Sequence, residues 1–369
     1  MNNIEKAGII LAGILVIAAI AYYSIPGIKG SSAFMIIEPG IIPSISLGDV
    51  CNVYVSSETG DNNNDGLTKQ TPVRTIRKSV EIANECGKYV SVKFLDGLYE
   101  MHNEDGASSW FGNINITNPI SLSFGPDENI DDVLVKYVGA GVPLISLVVY
   151  PPENINVENI TFKDINTLDT AVQIHGENSK ISVTGCDFEL SPHTGRPFGL
   201  TITTEKSASI VGNTFKQNKP LVGYLGYDFL FAGLRIDERK GWPEEVVVTE
   251  NMFILPADYY EEYDADGFGS LTQTAGIVAR TGSVNIFGNT FITEGFNGPG
   301  DFWSSPSMRT ENLHNVGVIT GLKTQEVTIV NNNFKDFDGL DVVSMALVQK
   351  SYNDENKQDV VIRDNFISK

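Results

Sequence analysis

The sequence predicts an all-β fold: a parallel β-solenoid opened by one capping helix and preceded by an apolar N-terminal segment. Three observations predict it. A six-residue pattern returns along the second half of the chain. Helical apolar periodicity is nearly absent after residue 90. Glycine accounts for 35 of 369 residues, which suits many tight turns.

The pattern is Ile210-Val211-Gly212-Asn213-Thr214-Phe215. It returns as Val248 to Phe253, Ile286 to Phe291 and Ile329 to Phe334, and looser copies end at Phe162, Phe188 and Phe366. In all seven a Val or Ile stands five residues before the Phe. An Asn stands two before it in four, and Cys186 and Asp364 take that place in two others. One short strand with one inward ring cannot bury itself, whereas stacked copies can. Side chains alternate along a strand, so residues five apart face opposite ways. A bend near the Gly or Asn, residues that tolerate left-handed backbone, brings both inside. At a parallel spacing of ~4.8 Å, Asn213, Asn251, Asn289 and Asn332 align as a hydrogen-bonded ladder. The seven Phe residues form one internal column.

This rung pattern resembles the right-handed parallel β-helix (pectin-lyase-like) superfamily, the fold of pectate lyases, some glycosidases, and many adhesins and phage spikes. The resemblance covers about residues 50–369 and implies one right-handed parallel β-helix of about nine or ten turns, ~45 Å long at that spacing. It speaks to fold and says little of activity.

Taken in order, residues 1–6 form a cytoplasmic end and residues 7–24 a transmembrane anchor. The run 7–23 is uncharged and near the short end of a span, with Tyr22 and Tyr23 at the interface and Pro26-Gly27 as the stop. A cleaved signal peptide, with Ala19-Ile20-Ala21 as the cut site, and a pilin-type leader are the competing readings. All three place the remainder outside the cytoplasm. Residues 25–50 are a Gly/Pro/Ser linker, and the β-helix domain runs over 51–369, its cap over 51–100.

In the cap, Asn52 to Ser57 reads as a strand and Gly60 to Thr68 as a polar loop. Thr71-Pro72 opens a helix as N-cap and first-turn Pro; Val73, Ile76, Val80 and Ala83 form its apolar face, and Gly87 stops it. Val90 to Phe94 follows as a strand, then Asp96-Gly97-Leu98-Tyr99. This order is similar to the N-terminal cap of secreted β-helix proteins. Asp61, Asn63 and Asp65 with Gly66 match the first half of a calcium loop, but Pro72 stands where the closing acid belongs. Ca²⁺ binding and an Asx-rich turn that holds the cap both fit. Cys51 and Cys86 flank the cap and pair if the domain is outside the cell. Cys186 is a buried thiol.

The intervals between rung Phe residues are 26 and 27, then 38, 38 and 43, then 32. Long insertions therefore fall at about 216–247, 254–283 and 292–325. They carry Trp242, Tyr259, Tyr260, Tyr263 and Trp303, with Arg235, Asp237 and Glu238 beside them. Rings that stack on sugar faces and carboxylates that take hydroxyls would make a carbohydrate site. The alternative is that the rings pack the loops onto the solenoid.

The formal net charge of −20 excludes ordinary nucleic-acid binding, since little here would neutralise phosphates. No catalytic motif of the β-helix lyases or glycosidases surrounds Arg235 to Glu238, and the four His suggest no zinc set. The expected function is a membrane-anchored extracellular surface protein, structural, adhesive or glycan-binding, on a cell envelope or virion. The catalytic alternative is a polysaccharide lyase or glycoside hydrolase. Expected partners are the membrane, a polysaccharide or surface glycan, and further copies of the chain as a homo-oligomer.

Overall fold

The structure is a computed structural model that describes residues 50–95, 97–102, 113–128, 133–138, 145–150, 153–165, 170–176, 178–190, 198–217, 229–237, 243–255, 272–293, 315–335, 342–344 and 359–368. The apolar segment 7–24 and the linker lie outside these. Among the described residues, no helix is long and apolar enough to cross a membrane.

After a first strand Val50–Val55, the strands from Tyr89 onward repeat in sets of three and pair in parallel with the sets before and after. The first face starts with Val50–Val55, Tyr89–Phe94 and Ser121–Pro126 and ends with Asp359–Arg363. The second has nine strands, from Leu98–His102 to Phe366–Ser368. The third runs from Asn113–Asn115 to Val342–Ser344. Thr272–Phe287 and Asn315–Val330 each run without a break from the third face onto the first. This is a parallel β-solenoid.

The corner between first and second faces explains the repeat. Seven successive corners place a residue at positive φ: Asn159, Gly185, Gly212, Glu250, Gly288, Asn331 and Asp364. One left-handed residue turns the chain, so the apolar residue before the bend and the ring after it both face inward. Next comes the Asn. Asn251 donates from its backbone N and from Nδ2 to Asn289 Oδ1, both at 2.9 Å. The same Nδ2 reaches Ile210 O at 2.8 Å and Thr249 O at 2.9 Å. Asn213 bonds to Asn251 in this way, Asn289 to Asn332, and Asn332 to Asn365. Cys186 closes the other end. Its backbone N donates to Asn213 Oδ1 at 2.9 Å, and its Sγ lies 3.7 Å from Val157 O and 3.6 Å from Thr184 O. The thiol thus stands on carbonyls equivalent to those an Asn amide reaches. Burial pushes its pKa up to about 12.

Behind the corner, Phe162, Phe188, Phe215, Phe253, Phe291 and Phe334 stack face to face with centroids 4.8–5.1 Å apart. Val135 pairs with Phe162 and Tyr99 with Val135 earlier in the same row. Near this smaller Val an apolar cavity of about 40 Å³ remains, lined in part by Phe94, Phe124, Val135 and Phe162. The rings press on the third face, where Gly199, Gly233, Gly276 and Gly317 occupy successive turns. A Cβ on Gly276 would stand 2.6 Å from Phe291, and one on Gly317 closer still to Phe334.

Four expectations change. Phe366 is 64% exposed and pairs with Asn333, while Ile367 pairs with Phe334. The last rung is shifted by one residue: Ile362, Asn365 and Ile367 fill the repeat positions assigned to Val361, Asp364 and Phe366. Thr75, not Thr71, caps the helix Ile76–Cys86 and accepts from Lys78 N. Val73 is not on that helix; it bridges Val55. Finally, each expected insertion contains a third-face strand, Phe229–Ile236 or the first part of Thr272–Phe287 or Asn315–Val330. The connections between faces shrink to 218–228, 256–271 and 294–314, with 238–242 apart.

The helix packs on the first two strands and buries Ser79, Val80 and Ala83. Cys51 and Cys86 form a disulfide. Tyr99 is buried, and its hydroxyl donates to Val55 O at 2.8 Å.

Two substitutions weigh the ladder against the column. Asn289→Ala should cost about 1–3 kcal/mol because it removes the acceptor for Asn251. Phe291→Ala should cost about 3–5 kcal/mol as a buried aromatic deletion. Denaturant midpoints measure both, and an unchanged Asn289→Ala would show the ladder to be dispensable.

Candidate functional site

Among the described residues, the outward side of the third face carries a set of buried and partly buried polar side chains. Strand alternation places Arg235 and Asp237 there, on either side of the inward Ile236. Arg235 Nε donates to Asp237 Oδ2 at 2.8 Å, and Nη2 donates to the same oxygen. Arg280 Nη1 approaches that oxygen to 3.7 Å. The Arg235 guanidinium carbon lies 4.7 Å from the centre of the Phe198 ring. Thr201 pairs with Arg235 in register, and its hydroxyl is 3.1 Å from that of Thr170. One strand spacing on from Thr203 is His175, met edge-on by Tyr150 at 5.6 Å.

Phe198, Thr201, Thr203 and His175 are all buried although they lie on the outward side. Arg235 and Asp237 keep 17% and 18% of their side-chain surface, and Arg280 keeps 46%. Chemically this is a rigid donor plane held over a ring, beside hydroxyls. It can orient a polar ligand. It is poorly built for proton abstraction by Arg235, whose Nε and Nη2 both donate to Asp237.

The structure therefore brings Arg235 and Asp237 together, as the sequence reading grouped them. Glu238, Trp242, Tyr259, Tyr260, Tyr263 and Trp303 lie outside the described residues. The connections that carry Tyr259, Tyr260, Tyr263 and Trp303 both leave the second face and return on the third, as does 218–228 before them.

Asp61, Asn63 and Asp65 lie in the cap, remote in sequence from this face. Asp61 Oδ1 accepts from Asn63 N and Nδ2, each at 2.9 Å. Asp65 Oδ1 accepts from Thr71 Oγ1 at 2.6 Å and Leu67 N at 3.1 Å. The Thr71 bond, then that of Leu67, holds the Asp65 carboxyl below its ordinary pKa. Asn62 Oδ1 accepts from the backbone N of Arg74 and of Thr75 and so ties the loop to the helix start. The bonds from Asn63 N and Leu67 N are Asx turns, and those of Asn62 fasten the loop to the cap helix. Among the described residues, no three His, Cys, Asp or Glu side chains converge as a metal group.

Three structural features escaped the sequence reading. Phe198 was not singled out, since it lacks the rung context. The glycine row was visible only as Gly199-Leu200, Gly233-Leu234, Gly276-Ile277 and Gly317-Val318, a Gly-aliphatic pair at the third-face register. Asn365 was masked by the neighbouring Asp364.

The class defined by these ladders is a parallel β-solenoid. No protein-family model and no curated protein matches the sequence. Among solved structures, the chain is similar to a GH136 lacto-N-biosidase from Eubacterium ramulus. The selenomethionine form is 13% identical, over 87% of this chain and 68% of that one, with a TM-score of 0.33. The native form is 12% identical, over 86% and 68%, with a TM-score of 0.29. The fold assignment rests on the strand ladders and not on this likeness.

Arg235→Lys should lower stability by about 1–2 kcal/mol, because an ammonium cannot reproduce the two-donor pairing and the stacking on Phe198. Chemical denaturation checks this, and a neutral result would mean that the pair contributes nothing to this face.

Proposed function

We propose that the chain is a membrane-anchored surface protein of a cell envelope or virion. Its right-handed, pectin-lyase-like β-helix lies outside the membrane and contacts glycan through its lateral loops. The right hand is the one that parallel crossovers adopt in nearly all cases. The observation that carries the reading is the common corner. Three long connections, two of them holding Tyr259, Tyr260, Tyr263 and Trp303, all run from the second face to the third. Loops on a rigid scaffold are where such folds keep function. The Cys51–Cys86 disulfide supports a location outside the cytoplasm. The uncharged run 7–23 supports the anchor.

A polysaccharide lyase or hydrolase of the β-helix type is the catalytic alternative. It is less favoured because Arg235, its candidate base, is tied to Asp237.

The test is the full chain in detergent with a panel of neutral and acidic polysaccharides, with and without calcium, followed for binding and for chain cleavage. The proposal expects binding without cleavage, weakened about fivefold or more by Trp303→Ala or Tyr260→Ala, on the scale of the ~1–3 kcal/mol that ring–base stacking is worth in nucleic-acid sites. Cleavage that disappears in Asp237→Asn would replace it with the catalytic reading. Absence of both would leave a structural role.

A further inference from the structure

The ring column lacks one member. Tyr99, Val135 and Phe162 follow one another in the same row of the second face, and only the middle place is aliphatic. Tyr99 does not lean in to close the gap. Its hydroxyl is held by Val55 O at 2.8 Å, and its ring meets Phe94 edge-on at 4.8 Å. The rings on the other side do not close it either. Phe162 and Phe188 lie 5.1 Å apart and 14° from parallel, against 4.8–4.9 Å and at most 10° in the pairs that follow. What remains is the cavity of about 40 Å³. Every side chain that lines it is apolar, from Ile76 of the cap helix to Leu200 of the third face. All but Ile76 are buried and sit on paired strands. Ile76 is half-buried at the first residue of the helix, so the helix start is the wall that can yield to let a molecule pass.

Volume alone would admit a water molecule, which needs only about 10–15 Å³. A buried water also needs about two to four polar partners. The lining side chains offer none, and the strand backbones behind them are engaged in the parallel ladders. The void is therefore dry. An apolar cavity of ~150 Å³ takes benzene, and this one has roughly a quarter of that volume.

We propose that the void beside Val135 is a binding site for one small apolar molecule, of the size of xenon or a diatomic gas. The lining of a void forfeits the dispersion contacts it would make with a neighbour, and an occupant of the right size restores them. Polar solutes are refused, because nothing in the wall replaces the water they would lose. Ring-sized ligands are refused by volume.

The experiment is methyl NMR of the full chain in a nonionic detergent, under xenon and under helium at equal pressure. Helium serves as the control for compression, so the difference reads occupancy. The methyl signals of Val149, Val157, Ile160, Val172 and Ile174 should shift with xenon and saturate. Those of Ile286 and Ile329, in later turns that carry the ring, should not. Val135→Phe supplies the missing ring and should abolish the shifts. Val135→Leu fills part of the void and should weaken binding, which keeps the test decisive if the full ring does not fit. Melting curves confirm that each variant is folded. Absence of saturable shifts in the native chain would overturn the proposal. Xenon binding of undiminished strength in the folded Val135 variants would overturn it as well, since the occupied space would then lie elsewhere.

Discussion

The structure depends on one backbone problem at one corner. A left-handed residue turns the chain sharply and leaves the next N–H pointing along the axis inside the protein. Such a donor must be satisfied, because an unpaired buried amide costs about as much as a lost hydrogen bond. The Asn that follows solves this for its neighbour. Its Oδ1 accepts both the backbone N–H and the side-chain amide of the Asn one turn before, while its own Nδ2 takes the carbonyls left open around the bend. Each turn therefore completes the previous one. That dependence fixes the stacking register, and with it every side chain on three faces.

The ring column and the glycine row follow from the same register. Face-to-face rings at 4.8–5.1 Å match the spacing of parallel strands, so a Phe in each turn fills the interior without a gap. The rings extend across the core to the third face, which leaves no room there for a side chain. Glycine is the consequence at positions 199, 233, 276 and 317. Where the earlier turn has Val135 in place of the ring, the cavity appears. The outward side of that same third face holds Arg235 and Asp237, so the candidate ligand face and the core share a set of strands. The rigidity that the column imposes on those strands also positions the site.

Much of this was legible in the sequence. The repeat gave the solenoid, the column and the ladder, because a strictly periodic constraint leaves a periodic trace. Register at the last turn was not legible. Val361 and Ile362 are both suitable for the inward place, and Asp364 precedes Asn365, so either frame satisfies the pattern; only pairing with Ile329 and Asn332 decides. The helix cap was misplaced because Thr71-Pro72 has the composition of a helix start, whereas its backbone is used by the Asx loop. Of the candidate site, Arg235 and Asp237 were found by their charge beside the insertions. Phe198, which underlies Arg235, was not found, because a single ring on the outward side of a strand has no signature of its own.

Hydrogen exchange at the corner tests the central claim most directly. The backbone amides of Cys186, Asn213, Asn251, Asn289 and Asn332 each donate to a side-chain oxygen of the next turn. Their exchange should be as slow as that of Ile210 and Val248 within the first face, and Asn289→Ala should selectively speed exchange at Asn251. Exchange at these five amides as fast as at the exposed bend residue Glu250, in an otherwise protected protein, would contradict the account.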